Sequence, residues 1–562
     1  MGEEGDERGS STRPHEGERH RSTVGVDVGA RSTRGFHHPI LARLDLIGQP
    51  PDQREETTAR ERGREEEEPP AVAARPRRSH ATHAAVRDGQ HPRAPSTGEI
   101  EAVFSTKGRR SGFQSPSDRC EGEDPRRSPS PSPEDVTDGS KDGNNPRWAR
   151  TAVNVEDHMI VPTLDPAAME ADPDRAVEDY VASVYTLPMD CSRPLWEFHF
   201  LDFPTSEAAS TVVFRVHHSL SDGMSLITML LASARSAADP TRLPAMPEPP
   251  ARTGAIYVPR RREPTSPGAL AAFITWIWPY LVLAWNTMVD VSLFAATTLF
   301  LRDPCTPFRR ADGDVTLNPC RRFVHRSLSL DDVKFVKNAM SCTVNDVLVG
   351  ATSAALSRYY FRKSGGSNTY RTWLRSVLLV NTRPTASLQT YANMIESGRS
   401  NDVAWGNQLG YILLPFHLAM HDDPLAYVRE AKMTVDRKKS SLEAIFTCKI
   451  SEVFVKMFGL KVGAFIFRHM FANTTISFSN LVGPTEKIEL FGHPVVFIAP
   501  SVYGVPQALI VHYQSYNNTI KIVLSVDEEI FPDYNQLLGD FAVSFGLIKD
   551  AASRLSESIK KE

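Results

Sequence analysis

The residues with the clearest chemical potential are the seven from 217 to 223, His-His-Ser-Leu-Ser-Asp-Gly. They lie between two apolar runs, 211–216 and 224–231, which predicts a strand, a tight loop and a helix. A histidine pair at such a junction is typical of a general base that takes a proton from a substrate. We expect Asp222 to fix the loop by accepting hydrogen bonds or by pairing with an arginine. We expect Gly223 to supply a backbone conformation that other residues avoid.

The rest of the chain narrows the chemistry. It contains neither the GxSxG motif of a serine nucleophile nor the GxxxxGK[ST] phosphate-binding loop. Its six cysteines are scattered without a CxxC pair, which disfavours a zinc site or a disulfide framework, and we expect no metal. A lone base suits direct transfer, in which a deprotonated hydroxyl attacks an activated carbonyl. The resulting oxyanion would need hydrogen-bond donors that the sequence does not identify.

Composition divides the chain of 562 residues into two unequal parts. Residues 1–134 interleave acidic and basic side chains and contain a serine-proline repeat at 128–133. We predict that this segment is disordered, because it cannot bury enough apolar surface to offset its chain entropy. Residues 1–21 lack the apolar core of a secretory signal peptide. The formal net charge of −4 gives no reason to expect nucleic acid as a partner.

From about residue 135 the predicted strands alternate with helices, which indicates an α/β (α+β) fold with mixed sheets. We divide this part into a first lobe, 135–310, which carries the histidine loop, and a second lobe, 311–562. The elements predicted in the first lobe are strands at 148–155, 196–203 and 210–216, helices at 174–185 and 226–237, and a linker at 239–267. Those predicted in the second lobe are strands at 323–327, 376–380, 410–416, 474–478, 495–498, 508–513 and 519–526, and helices at 329–339, 344–360, 423–439 and 534–555.

Residues 268–301 form the most apolar segment of the chain, and 268–289 contain no charged residue. This length suffices to span a bilayer, and the basic flank Arg260–Arg262 would then favour the cytosol. Pro279 inside the segment and Asp290 near its end disfavour a simple span. Three arrangements stay open: a spanning helix, a helix lying in the membrane interface, and a helix packed on the protein. We expect membrane contact of some kind.

The HHxxxDG pattern at 217–223 resembles the signature of the chloramphenicol acetyltransferase-like acyltransferases. Within that group the chain resembles the plant-type wax ester synthase/diacylglycerol acyltransferases, and the likeness covers about residue 136 to the C-terminus. Further motifs carry this resemblance: PLW at 194–196, Asn-Asp at 345–346, NQLG at 407–410 and SNLVGP at 479–484.

The resemblance implies two chloramphenicol acetyltransferase-like lobes with a tunnel between them. Acyl-CoA would enter from one side, and a long-chain alcohol or diacylglycerol from the other. His218 would be the general base and His217 would support it, while Asp222 would hold the loop and Gly223 would permit its turn. Family members begin the first lobe with a strand and a helix upstream of the position of Trp148. This chain has the charged segment there, so we expect an incomplete first lobe.

Four further residues in the resembling motifs are candidates for substrate binding: Asn345, Asp346, Asn480 and Gly483. For Asn345 and Asp346, a helix N-terminal cap is an equal alternative. For the stretch from Asn480 onward, the alternative is a turn after a strand. In the PLW motif a packing role is favoured over a chemical one.

The function implied by the resemblance is that of an acyl-CoA-dependent O-acyltransferase of long-chain fatty alcohols and diacylglycerol. Acyl-CoA would be the co-substrate without a further cofactor, and a membrane surface or bilayer would be a partner. The expected location is the endoplasmic reticulum membrane, with the plasma membrane as an alternative and both lobes facing the cytosol. Two other functions stay open. A BAHD-like acyltransferase of soluble alcohols is disfavoured, because its DFGWG motif needs a tryptophan and none follows Trp405. A catalytically impaired, membrane-associated binding protein of the same fold is favoured only by the incomplete first lobe.

Overall fold

The computed structural model describes residues 101–106, 135–138, 147–150, 153–185, 187–190, 192–247, 269–309, 321–365, 372–383, 387–397 and 406–561. The helices in these ranges are α1 (Pro166–Ala171), α2 (Pro173–Tyr185), α3 (Gly223–Ser233), α4 (Ala269–Leu299), α5 (Leu330–Ala339), α6 (Val344–Lys363), α7 (Leu388–Ser397), α8 (Leu425–Lys439), α9 (Glu443–Ala472) and α10 (Tyr534–Lys561), with a 3-10 helix at Val155–His158. The strands are β1 (Glu101–Thr106), β2 (Asp135–Asp138), β3 (Arg147–Arg150), β4 (Met159–Ile160), β5 (Trp196–Leu201), β6 (Ser210–Val216), β7 (Arg235–Ser236), β8 (Arg321–Ser329), β9 (Thr372–Asn381), β10 (Leu409–Leu418), β11 (Ile476–Leu481), β12 (Ile488–Leu490), β13 (His493–Ser501), β14 (Leu509–Tyr516) and β15 (Thr519–Asp527).

The first lobe is built on a sheet whose described strands follow the order β4-β5-β6-β1-β13-β12-β7. Strand β6, which leads into the histidine loop, is fixed on both faces. Val213 packs in a cluster with Val177 and Val181 of α2, whereas Phe214 packs with Ile227 of α3. Because successive side chains of a strand point to opposite faces, α2 and α3 cover opposite faces of this sheet. The apolar run 211–216 is therefore a buried strand, as predicted.

Strand β1 lies within the segment 1–134, which was predicted to be disordered. It pairs antiparallel with β6 on one side and with β13 on the other. The prediction of disorder is wrong for these six residues. Their apolar run is too short to indicate a strand, and the strand forms because two neighbouring strands supply hydrogen-bond partners for its backbone. The other residues of 1–134, and the helix expected upstream of Trp148, lie outside the described residues. The strand predicted at 148–155 is also shorter than expected: it ends at Arg150, and a 3-10 helix begins at Val155.

The second lobe contains a mixed sheet in the order β10-β9-β11-β14-β15-β8, in which β11 runs parallel to both β9 and β14. One face of the sheet is covered by α5, α6, α8 and α10, which form the largest apolar core with it. The opposite face is directed at the first lobe and at α4 and α9. The predicted α/β fold with mixed sheets and two lobes is confirmed. Strand β13 comes from the second half of the chain and yet belongs to the sheet of the first lobe.

Two helices of the second half were not predicted, α7 and α9. Helix α9 has apolar side chains on two faces, because Met470 and Phe471 are buried in the lobe while Met457 and Phe465 are exposed. Such a helix gives no clear amphipathic period, and Gly459, with φ of +79°, interrupts its regular geometry. The linker predicted at 239–267 is described only up to residue 247.

Candidate active site

The histidine loop is held at both ends. Strand β6 ends at Val216, and the backbone N–H of His217 donates to the carbonyl of Leu195 at 3.0 Å. Helix α3 begins at Gly223, where the Asp222 carboxylate caps it by accepting the N–H of Ser225 at 3.0 Å. The PLW motif therefore contributes a backbone contact to the loop. Its Trp196 ring stacks on His158, which agrees with the packing role favoured for this motif.

Both histidines are buried, and His218 is only 2% exposed. The backbone carbonyl of His218 accepts a hydrogen bond from the side-chain amide of Asn407 at 2.8 Å. Nδ1 of His217 accepts the backbone N–H of Ser219 at 3.2 Å and lies 2.6 Å from its hydroxyl. The His217 ring is thus tied into its own loop, and the His218 ring is shielded from bulk solvent.

The loop is clamped from the second lobe through Asp222. Its carboxylate forms an ion pair with Arg383, and the side chains of both residues are almost fully buried. The same carboxylate accepts the backbone N–H of Gln408 at 3.4 Å. Arg383 also donates to the carbonyl of Gly406 and, through Nε, to Asn381 at 3.2 Å. Asp222 thus makes both kinds of contact that the sequence left open for it, hydrogen bonds and an ion pair with an arginine, and the NQLG motif begins beside this pair.

Gly223 differs from its prediction. It is the first residue of α3 and is not among the glycines with positive φ, so the turn does not depend on the conformational freedom of glycine. The cap and ion pair of Asp222 fix the turn instead. A positive φ, of +104°, occurs at Gly406, on the segment of the second lobe that contacts the loop.

The structure brings together two of the four candidate substrate-binding residues. Asn480 on β11 donates to the side-chain carbonyl of Asn345 on α6 at 3.4 Å, and both side chains are buried. Asp346 belongs to a capping box: it accepts the N–H of Thr343 at 2.8 Å, while its own N–H donates to the Thr343 hydroxyl at 3.2 Å. The helix-cap alternative therefore holds for Asp346, which forms the box with Thr343.

Gly483 is placed by close packing. Its N–H donates to the Ser515 hydroxyl at 3.0 Å, and a Cβ at this position would lie 2.1 Å from the Ser515 carbonyl oxygen. Only glycine fits such an approach of two backbones. The contacts of Gly483 therefore favour a structural turn after β11 over a role in substrate binding.

The predictions did not include Ser479 and His512, which form a polar pair on neighbouring strands. Nδ1 of His512 lies 2.5 Å from the Ser479 hydroxyl, and burial lowers the pKa of His512 to about 3, so the ring is neutral. Ser479 shares a sheet face with Leu481, which packs in one cluster with Val216 and Met224. Because Val216 and Met224 flank the histidine loop, this polar pair lies on the sheet face directed at that loop.

Ser479 and Arg383 were both missed as site residues, but the sequence contains a local indication for only one of them. Ser479 opens the SNLVGP motif, so a polar residue inside a buried strand was a visible indication. Arg383 follows a buried strand in the stretch Asn381-Thr382-Arg383, but its partner lies 161 positions earlier, and no local pattern joins the two.

A cavity of about 170 Å³ lies elsewhere, between α2 and strands β6, β8, β13 and β15. Its lining includes Glu178, Glu207 and His325, but none of the predicted site residues. Burial and the nearby Lys521 lower the pKa of His325 to about 4, while burial raises the pKa of Glu178 to about 7. Lys521, itself buried, forms an ion pair with Glu207. The cavity is therefore distinct from the histidine loop.

Replacing Glu178 with glutamine should stabilise the protein at high pH. The folded protein disfavours the ionised carboxylate, so the unaltered chain loses stability as the pH rises from 4.5 through about 7. The glutamine variant avoids this loss, and we expect it to be more stable at high pH by at most about 3 kcal/mol, and by less to the extent that solvent screens the partly exposed carboxylate. Thermal unfolding from pH 4.5 to 8.5 measures the difference. A gap between E178Q and the unaltered chain that stays constant with pH would contradict the raised pKa of Glu178.

Two protein-family models match the chain. The model of the wax ester synthase/diacylglycerol acyltransferase catalytic domain matches residues 121–348, and that of the WS/DGAT C-terminal domain matches residues 405–549. The first match contains the PLW motif, the histidine loop and the Asn-Asp motif, and the second contains NQLG and SNLVGP. The chain belongs to the wax ester synthase/diacylglycerol acyltransferase family. The predicted membership is confirmed, and the catalytic-domain match begins ahead of residue 135.

Two plant relatives support the same conclusion. Wax ester synthase/diacylglycerol acyltransferase 11 of Arabidopsis thaliana is 43% identical over 420 residues, which cover 73% of this chain and 83% of that protein. Wax ester synthase/diacylglycerol acyltransferase 4 of the same plant is 41% identical, over 75% of this chain and 81% of its own length. Among solved structures, the wax ester synthase/diacylglycerol acyltransferase from Marinobacter aquaeolei VT8 aligns at 16% identity with a TM-score of 0.47, covering 82% of this chain and 96% of that chain. The enzyme class predicted from the motifs, an O-acyltransferase, is confirmed by this membership.

Proposed function

We propose that this member of the family transfers a fatty acyl group from acyl-CoA to a long-chain alcohol, forming a wax ester, and also to diacylglycerol, forming triacylglycerol. The observation that carries the proposal is the buried His218 on a loop that Asp222 and Arg383 clamp between the two lobes. A base that is shielded from water and carried on a loop fixed by such contacts suits abstraction of a hydroxyl proton. Acyl-CoA is the co-substrate, and the reaction needs no other cofactor.

In the proposed reaction His218 removes the proton from the alcohol hydroxyl. The alkoxide oxygen attacks the thioester carbonyl, and a C–O bond forms in a tetrahedral intermediate. When the intermediate collapses, the C–S bond breaks and the CoA thiolate leaves, taking the proton from the protonated His218. Asp222 does not exchange a proton in this scheme, because its carboxylate is occupied by Arg383 and the cap of α3.

The negative charge of the intermediate needs a hydrogen-bond donor. Ser479 is our candidate, because its hydroxyl is buried on the sheet face directed at the histidine loop. His512, which is neutral, lies within hydrogen-bond distance of that hydroxyl and would orient it toward the substrate. Asn345 and Asn480 would support the same region of β11 from the other side of the sheet.

The proposed function is tested by giving the purified full chain palmitoyl-CoA with hexadecanol, with dioleoylglycerol or with a phenolic alcohol. We expect ester from hexadecanol, ester from dioleoylglycerol and little from the phenolic, with CoA release matching ester formed. Preference for the phenolic would favour the BAHD-like alternative. Folded protein that binds palmitoyl-CoA but forms no ester would favour the impaired binding protein instead.

We place the enzyme at the endoplasmic reticulum membrane, with the plasma membrane as the alternative and the lobes facing the cytosol. The acceptors are themselves lipids, and the basic flank Arg260–Arg262 before the apolar segment favours the cytosolic side. Fractionation of cells against markers for the two membranes tests this placement. Recovery of the protein with neither marker would contradict it.

A further inference from the structure

Helix α4 exposes an apolar stripe along one face. By composition and length it is the one helix among the described residues that could cross a bilayer. Its outward positions recur at helical spacing, and Trp278 and Trp285 are 62% and 63% exposed. The large exposed side chains of this stripe are Ile274, Trp278, Leu281, Trp285, Met288 and Leu299.

From Leu283 onward, the face of α4 opposite the stripe is docked on the second lobe, partly by polar contacts. Asp290 is fully buried and pairs with Lys438 at 2.9 Å and with Arg437 at 2.7 Å. The Thr287 hydroxyl accepts the backbone N–H of Leu442 at 2.9 Å. A spanning α4 with these contacts intact would carry the charges of the lobe into hydrocarbon, which is costly. The contacts therefore favour a helix that lies along the lobe.

Helix α9 packs against α4 and exposes a second apolar stripe. Met457 and Phe465 are both 68% exposed. The stripe is broken at Gly459: it consists of Phe446, Ile450, Val453, Phe454, Met457 and Phe458 ahead of that residue, and of Val462 and Phe465 after it. Together the two stripes, which we call the α4/α9 surface, expose apolar area on the order of 1,000 Å². Monomeric soluble proteins rarely expose so large an apolar patch.

The charges beside the α4/α9 surface indicate which partner covers it. After its buried first residue, α9 carries four basic residues against one acidic residue, Glu452: Lys449, Lys456, Lys461 and Arg468. Protein interfaces are depleted in lysine, whereas lysines beside an apolar stripe suit anionic headgroups. Tryptophan and tyrosine, which α4 presents at Trp276, Trp278 and Tyr280, are enriched where membranes meet water.

We propose that α4 and α9 form one membrane-binding surface that lies in the plane of an anionic leaflet without crossing it. This inference rests on the proposed function, because the membrane would supply the lipid acceptor of that reaction. Phe294 of α4 and Phe471 of α9 pack in the same apolar cluster as Leu226, which follows the histidine loop on α3. A lipid acceptor dissolved in the leaflet would thus approach the site through apolar surroundings.

Flotation of the full chain with vesicles tests the proposal. We expect binding to phosphatidylcholine vesicles that contain phosphatidylserine, weaker binding without it, and a decrease with salt. The α4 variant W278S/W285S and the α9 variant M457S/F465S should each weaken binding about tenfold or more. The control L187S/F491S removes two exposed apolar side chains elsewhere and should bind as the unaltered chain does.

Several outcomes would overturn the proposal. Resistance to carbonate extraction, together with cleavage by protease from both sides of a sealed vesicle, would show that α4 spans. Unaltered flotation of the α9 variant would remove α9 from the surface. Concentration-dependent dimers that the variants abolish, with no flotation, would assign the surface to a second copy of the chain. Ester formation from detergent-dispersed hexadecanol without flotation would overturn this inference alone, whereas flotation without ester formation would overturn the proposed function alone.

Discussion

Replacing His218 with alanine should lower kcat by roughly 10²–10⁴-fold in the palmitoyl-CoA and hexadecanol assay, the usual contribution of a positioned general base. The substrates would still bind, so KM should change little. The measurement is the initial rate of CoA release at saturating substrates. Activity within a few-fold of the unaltered chain would eliminate His218 as the base.

The loss must be separated from a loss of structure, because His218 is buried. The variant should unfold cooperatively at a lower temperature than the unaltered chain, because removing a buried ring leaves a cavity. It should still be folded at the assay temperature, since the contacts of Asp222 and Asn407 with the loop remain. The control is H493A, which removes an exposed histidine at the start of β13 and should retain full activity. Equal losses in both variants would point to an effect on folding.

The second large effect is expected at Asp222. The variant D222N keeps an oxygen that can cap α3 but removes the charge that balances the buried Arg383. Breaking a buried ion pair in this way should cost about 3–5 kcal/mol of unfolding free energy. Urea unfolding measures this, and kcat should fall as well, because the loop carrying His218 loses its clamp to the second lobe.

A double-mutant cycle isolates the pair. The variant R383M leaves Asp222 unbalanced and should also be strongly destabilised, while D222N/R383M should lose less than the sum of the two single losses. The control is D165N, which changes the cap of the exposed helix α1 and should cost little. Additive losses in the cycle would contradict a direct interaction between Asp222 and Arg383.

Much of the histidine loop could be predicted from local sequence. The short run rich in β-branched residues before it favours a buried strand, and an aspartate just ahead of a second apolar run suits a helix cap. The structure places Asp222 in that role. The role predicted for Gly223 was wrong. Glycine after aspartate is typical of turns, whereas here Gly223 is already the first residue of α3.

Contacts between distant parts of the chain could not be predicted from local sequence patterns. Arg383 and Asn407 reach the loop only because the second lobe folds against the first. Asn345 and Asn480 each lie in a recognisable motif, but their hydrogen bond depends on α6 packing against β11. Strand β1 is similar, since its pairing with β6 and β13 is tertiary in origin. Helix α9 was missed because it is apolar toward both the lobe and the exterior.

The position of β13 has a consequence for how the chain matures. Strand β1 takes its partner on one side from β6 and on the other from β13, which is made almost 400 residues later. During synthesis the early half therefore emerges from the ribosome with an open sheet edge and must wait for the late half, as is usual for folds with many long-range contacts. An open edge of this kind is prone to aggregate, so the two halves should be expressed as one chain or together.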